Sequence, residues 1–281
     1  MENLNKSTGI FAMVATAFLW SIAGLFIKVI DWNPIAIAGM RSLIASVVIF
    51  LYLKHPDIHF SFPQIAAAVA NAMTMLLFVC ANKTTTAANA ILLQYCAPVL
   101  TVFIGAILLK EKPHGENLVA LPLVVAGMVI MFFDRLGGGR LLGNVLGLMS
   151  AVTFSFYFVF MRMQKDGSPL ESNLLSHWLT AGICIIISLF LPLPHITTQS
   201  LGAIAVLGVV QIGISSILFS IAIKRISAIQ ANLIAVVEPV FNPVWVFFIL
   251  GEAPGVHTLI GGGIIVSAVT TASIITARRS P

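Results

Sequence analysis

Residues 83–113 read KTTTAANAILLQYCAPVLTVFIGAILLKEKP, and residues 224–254 read KRISAIQANLIAVVEPVFNPVWVFFILGEAP. The stretches lie 141 positions apart and align without a gap. Lys83 meets Lys224, Ala90 meets Ala231, Leu92 meets Leu233 and Pro98 meets Pro239. Val99 meets Val240, Leu109 meets Leu250, Glu111 meets Glu252 and Pro113 meets Pro254. With Ala87 meeting Ala228, that is nine identities in 31 positions. Apolar chance explains some of them, but not readily the lysine, the glutamate and the two prolines. Each stretch holds an apolar run of bilayer length. The chain therefore reads as a membrane protein with an internal duplication.

Outward from this pair, composition agrees. Of 281 residues, 59% are apolar and 9% charged, whereas a soluble domain carries about 25% charged residues to wet its surface. Ten apolar runs approach the ~20 residues a spanning helix needs. They cover roughly 8–30, 34–53, 63–82, 86–109, 115–133, 142–161, 171–191, 200–223, 228–250 and 256–277. Turn signals separate them: Asn33-Pro34, Phe62-Pro63, Pro113, Gly137 to Gly139, Ser168-Pro169, Pro192 with Pro194, and Pro254-Gly255. The first run lacks a small-residue cleavage site and reads as a retained helix. The expected fold is an all-α membrane protein of ten transmembrane helices, with short loops joining antiparallel neighbours. Residues 1–136 and 140–281 form the two five-helix repeats. Five is odd, so the second repeat enters the membrane from the opposite side. Such inverted-topology repeats recur in secondary transporters.

Basic residues set the orientation. With the N-terminus inside, Lys6, Lys54, Lys110, Lys112, Arg162, Lys165, Lys224, Arg225, Arg278 and Arg279 lie on the inner side. Only Lys28, Lys83, Arg135 and Arg140 lie outside. The positive-inside rule then places both termini in the cytoplasm. The net charge of +5 is spread as membrane-flanking anchors, with no basic patch for nucleic acid. Cys80, Cys96 and Cys184 sit in apolar runs without metal spacing and read as buried thiols.

Several motifs resemble the drug/metabolite transporter superfamily in its EamA-type branch. Arg41-Ser42-Leu43 is similar to that family's helix-2 arginine, Glu238-Pro239-Val240 to its helix-9 Glu-Pro step, and Trp20-Ser21 to a helix-1 pattern. Leu109-Lys110-Glu111 and Leu250-Gly251-Glu252 resemble its paired helix-end glutamates. The resemblance covers essentially the whole chain. It implies a ten-helix transporter of the inner (plasma) membrane with a cavity lined by both halves, and leaves the substrate open. The first half has Ala97-Pro98-Val99 where the second has Glu238-Pro239-Val240, so the carboxylate is not duplicated.

A charge at mid-bilayer costs at least ~2.5–3.5 kcal/mol and usually faces the bundle interior. Glu238 is ten residues into its run, about 15 Å deep, and Arg41 seven residues into its own, about 10 Å. The two can face one cavity or pair directly. Glu238 reads either as a substrate or proton site or as an acceptor for backbone freed near Pro239. Arg41 reads as a packing or gating residue or as a direct substrate contact. Pro98 and Pro239 each remove a backbone donor and clash with the carbonyl four residues back, so they read as hinges or as static kinks.

Polar and aromatic residues at helical spacing mark further faces. They are Glu238, Asn242 and Trp245; Gln94, Pro98 and Thr101; Asn71, Thr74 and Phe78; Gln211 and Ser215; Thr153 and Tyr157; Thr16 and Trp20. Singly they read as polar glue between helices; as a set they read as a cavity. The candidate substrate-binding residues are thus Trp20, Arg41, Asn71, Gln94, Tyr157, Gln211, Glu238, Asn242 and Trp245. Glu111 and Glu252 read as caps of the helices that follow them, and His177 as an interface residue. Gly143 and Gly147 read as tight packing within a monomer, or at most a weak homodimer.

No metal motif, nucleotide-binding loop or nucleophile-and-base set is present, and every Asp falls in a loop. No enzyme, cofactor or ATPase subunit is implied. The expected function is secondary transport of a small organic solute across the lipid bilayer by alternating access, with export of an amino-acid-like metabolite favoured. The alternative is proton-coupled efflux of organic cations. A lipid-modifying intramembrane enzyme and a passive channel are the rivals from other classes.

Overall fold

The fold follows from a computed structural model that describes residues 2–23, 26–27, 30–85, 87–131, 133, 141–167, 169–192, 194–250 and 255–278. The side chains of residues 2–5, 82–83, 87–89, 242–243, 246–247, 250 and 277 are outside that description. The described residues form helices and connections, with no strand among them.

The apolar runs become helices α1 (Glu2–Ser21), α2 (Pro34–Leu53), α3 (Phe62–Thr84), α4 (Ala87–Gln94), α5 (Ala97–Leu108), α6 (Gly115–Met131) and α7 (Leu141–Met163). Then come α8 (Pro169–Ser188), α9 (Thr198–Val206), a π-helical turn (Leu207–Ile214) running into α10 (Ser215–Arg225), α11 (Ala228–Ala235), α12 (Val237–Leu250) and α13 (Val256–Arg278). Seven continuous helical stretches among the described residues are long and apolar enough to cross a membrane. Caps end them where the sequence signals turns: Asn33 Oδ1 accepts the Ala36 N–H at 2.8 Å, with Pro34 at the first helical position. Thr197 and Ser200 form a reciprocal capping box before α9.

Three elements differ from the run-by-run expectation. The first run is interrupted: α1 ends at Ser21 with a turn at Ile22, and Ala23, Phe26 and Ile27 beyond it are again helical. The fourth and ninth runs are each broken in two. The breaks have one cause. Pro98 clashes with the Gln94 carbonyl, the last residue of α4, and Pro239 with the Ala235 carbonyl, the last residue of α11. The interruptions at Tyr95 and Val236 are again 141 positions apart.

Packing is inverted relative to a soluble protein. Phe11, Ile107, Phe190 and Phe248 lie on the outer surface, while Asn71, Thr101, Asn173, His177, Gln211 and Asn232 are buried. With hydrocarbon outside, polar side chains find partners only inside. α3 packs most closely on α7, as α1 does on α10; α2 packs on α8, α6 on α13, and α5 on α11. Close approach is set by glycine at the α3–α7 contact and where the π turn meets α2. A Cβ on Gly143 would meet Thr84 and Thr85 backbone at 2.5–2.6 Å, so the GxxxG of α7 is spent inside the chain. A Cβ on Gly208, in the π turn, would lie 2.5 Å from Ile44 of α2. The three cysteines are free; Cys184 is buried, Cys96 half-buried, and Cys80 exposed, contrary to the expectation of three buried thiols.

Candidate functional site

The two helix breaks meet at one point. Tyr95, in the break between α4 and α5, donates its hydroxyl to Glu238 Oε2 at 2.5 Å. Glu238 is the second residue of α12, just after the second break. The bond joins residues 143 apart in sequence. Nothing in the local pattern singles out Tyr95; the available signal is its position three residues before the duplicated proline. The first half lacks Glu238's carboxylate and supplies a phenol to it instead. Tyr95 is 6% exposed, and Glu238 keeps an accessible remainder.

Arg41 stands within electrostatic reach of Glu238, His177 and Cys184. No nitrogen–oxygen pair within 4.0 Å joins Arg41 to Glu238, so the two do not form a direct ion pair. Arg41 Nε is buried without a hydrogen-bond partner. One cation and one carboxylate thus face a shared interior without touching. His177 is not the interface residue that the sequence suggests: it is fully buried, with Nε2 3.4 Å from Ser216 Oγ.

Two aromatic groups meet at the end of α1. Trp20 sits 5.8 Å from Phe219 and 6.3 Å from Phe154, and Tyr157 stacks on Phe219 at 5.3 Å. The Trp20 indole N–H donates to Ser215 Oγ at 2.9 Å. On the other side of α1, Phe18 meets Trp245 edge-on at 5.0 Å and Phe241 at 5.3 Å. Trp245 donates to Ser21 Oγ at 2.8 Å. The end of α1 therefore carries both groups. Half-buried indoles with satisfied N–H groups present their faces, which suit apolar or cationic groups.

The remaining candidates divide. Gln94 is half-buried near the first break. Gln211, on the π turn, is buried with its Oε1 unpartnered, and π turns are frequent at functional positions. The Asn242 side chain lies outside the described residues. Asn71 and Tyr157 are engaged between helices: Asn71 Nδ2 donates to Ser176 Oγ at 2.8 Å, and the Tyr157 hydroxyl to Asn173 Oδ1 at 2.6 Å. Thr74 donates to Thr153 at 2.8 Å. Asn232 carries no signal in the sequence pattern; its Nδ2 donates to Thr101 Oγ1 at 2.7 Å and ties α11 to α5.

Glu111 does not cap α6, as its place before that helix suggests. Instead its Oε1 takes Arg162 Nε at 2.8 Å and its Oε2 takes the Ala228 N–H, at the start of α11, at 3.2 Å. Arg162 also donates to the Ile223 and Lys224 carbonyls at 2.8 and 3.0 Å. Lys110 has positive φ at the end of the preceding helix, which turns the chain so that Glu111 points back across the bundle. Its duplicate Glu252 lies outside the described residues. Among the described residues no cluster of His, Cys, Asp or Glu has the makings of a metal site.

Comparison with known proteins agrees with this geometry. The profile of the EamA-like transporter family matches twice, at residues 7–133 and 141–274. An uncharacterized transporter of Archaeoglobus fulgidus is 25% identical over 262 residues, covering 93% of this chain and 94% of its own. A probable amino-acid metabolite efflux pump of Escherichia coli is 23% identical over 157 residues, 54% of this chain and about half of that protein (52%). A solved crystal structure superposes with a TM-score of 0.84 at 19% identity, covering 98% of this chain and 99% of that one, which shows a shared fold. Matched by that family's profile in both halves, this multi-pass membrane protein belongs to the EamA-like transporter family and is a transporter, not an enzyme.

Proposed function

We propose that the chain is a secondary transporter that moves a small amino-acid-like metabolite out of the cell by alternating access. Its ten spans form two inverted repeats, 1–136 and 140–281, with both termini in the cytoplasm and the bilayer being the inner membrane. The carrying observation is the unpaired cation and carboxylate: Arg41 and Glu238 interact electrostatically but make no ion pair. A zwitterion placed between them would set its carboxylate toward Arg41 and its ammonium toward the free oxygen of Glu238, while Tyr95 occupies the other. Its side chain would lie against Trp20 or Trp245. Matching breaks at Tyr95 and Val236, and neighbour pairs that exchange when the halves exchange, support two related halves. The excess of Lys and Arg on one side supports the orientation. The E. coli relative's name is consistent with an amino-acid-like cargo. Pro98 and Pro239 act as hinges in this reading, and Glu238 is the position at which a proton could be coupled.

Flux of a labelled mixture of the common L-amino acids in proteoliposomes tests it. Glu238→Gln and Arg41→Gln should each abolish saturable flux while the protein stays monodisperse. Flux unchanged in both variants would overturn the assignment. A second reading, efflux of organic cations, is favoured by the edge-on Phe18–Trp245 pair, whose faces suit a quaternary ammonium. Competition by quaternary amines but not by zwitterions would select it.

A further inference from the structure

We propose that the cavity between the end of α2, the start of α8 and the end of α10 is a second, peripheral site for a paired ammonium and anionic group. The cavity is an open one of about 370 Å³, lined in part by Tyr52, Pro169, Glu171, Ser220, Lys224 and Arg225. That is within the size range of small-molecule sites.

Its charges carry the argument. Glu171 is the third residue of α8, where a carboxylate complements the helix dipole. An acid with that role alone stays in water, yet Glu171 is only 8% exposed. It makes no ion pair within 4.0 Å with the Lys224 ammonium that lines the same cavity. The two opposite charges line one cavity without meeting, so an ammonium can sit against Glu171 and an anionic oxygen against Lys224.

The floor of the cavity leads inward. Ser220 accepts from Asn173 Nδ2 at 3.4 Å, and Asn173 accepts the Tyr157 hydroxyl at 2.6 Å. Ser220 also donates to the Ser216 carbonyl at 2.8 Å, and the Ser216 hydroxyl lies 3.4 Å from His177, which senses Arg41. These buried polar groups form a file from the cavity to the cation of the central site. A solute loaded at Glu171 and Lys224 would stand at the mouth of that file, on the side where the chain collects its basic residues. This loading role rests on the transport reading above; the site's charge pattern does not. The same head chemistry occurs in a free amino acid and in an aminophospholipid, and Tyr52 opens toward lipid at 58% exposure.

The test uses the purified full chain in phosphatidylglycerol nanodiscs, whose lipid heads carry no ammonium, and a radiolabelled mixture of the common L-amino acids. Glu171→Gln combined with Lys224→Gln should lose about half of the label bound at saturation, a stoichiometric loss rather than a change in affinity. Lys224→Arg, which keeps the charge, should bind as wild type and guards against a folding defect. Glu238→Gln should lose the other half, which reports on the central site separately. In discs containing phosphatidylethanolamine, loss of the same half from the wild-type protein would show that a lipid head fills the site. Wild type and double variant that bind the label equally in phosphatidylglycerol, and melt equally in the two lipids, would overturn the proposal even where Glu238→Gln abolishes binding.

Discussion

Removing Arg162 should loosen one end of the bundle by a measurable and separable amount. Its guanidinium holds Glu111 at 2.8 Å and the Ile223 and Lys224 carbonyls at 2.8 and 3.0 Å, while the other Glu111 oxygen takes the Ala228 N–H at 3.2 Å. The two side chains are 15% and 22% exposed. Breaking a buried pair costs about 3–5 kcal/mol, and an exposed pair about 0–1. With water reaching one edge of the pair, Arg162→Ala should cost about 2 kcal/mol. Glu111→Gln, which keeps an acceptor for Ala228 but loses the charge, should cost about 1 kcal/mol. The double variant should cost little more than Arg162→Ala alone, a coupling of about 1 kcal/mol. The assay is reversible unfolding in mixed micelles, read as a double-mutant cycle. Costs that simply add, to within about 0.3–0.5 kcal/mol, would refute the pairing. Glu111 precedes α6 whereas Arg162, Lys224 and Ala228 follow residue 141, so the contact ties the first half of the chain to the second. If it closes that end of the transport path, both variants should also label faster at a cysteine placed at Ser220.

Other consequences follow from single contacts. Tyr95→Phe removes the donor to Glu238 and leaves a carboxylate oxygen short of a partner; it should destabilise by about 1–3 kcal/mol in the same micelle assay and raise the KM for solute more than it lowers the maximal rate. Gly143→Val drives a side chain into Thr84 and Thr85 backbone and should cost about 1–3 kcal/mol or prevent folding, which detergent-resistant monodispersity will report. Asn232→Leu removes the bond to Thr101, and about 0.6–2 kcal/mol is expected on unfolding. Pro239→Ala gives back the N–H that the break lacks. It should leave stability within about 1 kcal/mol of wild type while slowing flux, and unchanged flux would remove the hinge role.

The helices and their interruptions were legible because each is a local consequence of chemistry. A bilayer demands ~20 apolar residues per crossing and a backbone satisfied within the segment, so runs such as 34–53 and 256–277 coincide with α2 and α13 to within a residue. Pro98 and Pro239 broke their helices where the clash four residues back requires. The Arg and Glu at depth were legible too, since a charge in an apolar run is too costly to leave facing lipid and so points into the bundle. Partners were not. In a bundle within lipid both faces of a helix are apolar, so the stripe that tells inside from outside in a soluble helix is faint. Tyr95 with Glu238, Trp245 with Ser21, Asn232 with Thr101 and Glu111 with Arg162 lie 51 to 224 residues apart and are joined only when the helices pack. Tertiary structure alone decided that Arg41 and Glu238 do not pair, that Glu111 reaches across the bundle instead of capping its own helix, and that Tyr157 and Asn71 bind neighbouring helices. The reason is common to all three: a side chain's partner depends on how rigid helices are set against one another, and that is a property of the whole packing rather than of any segment.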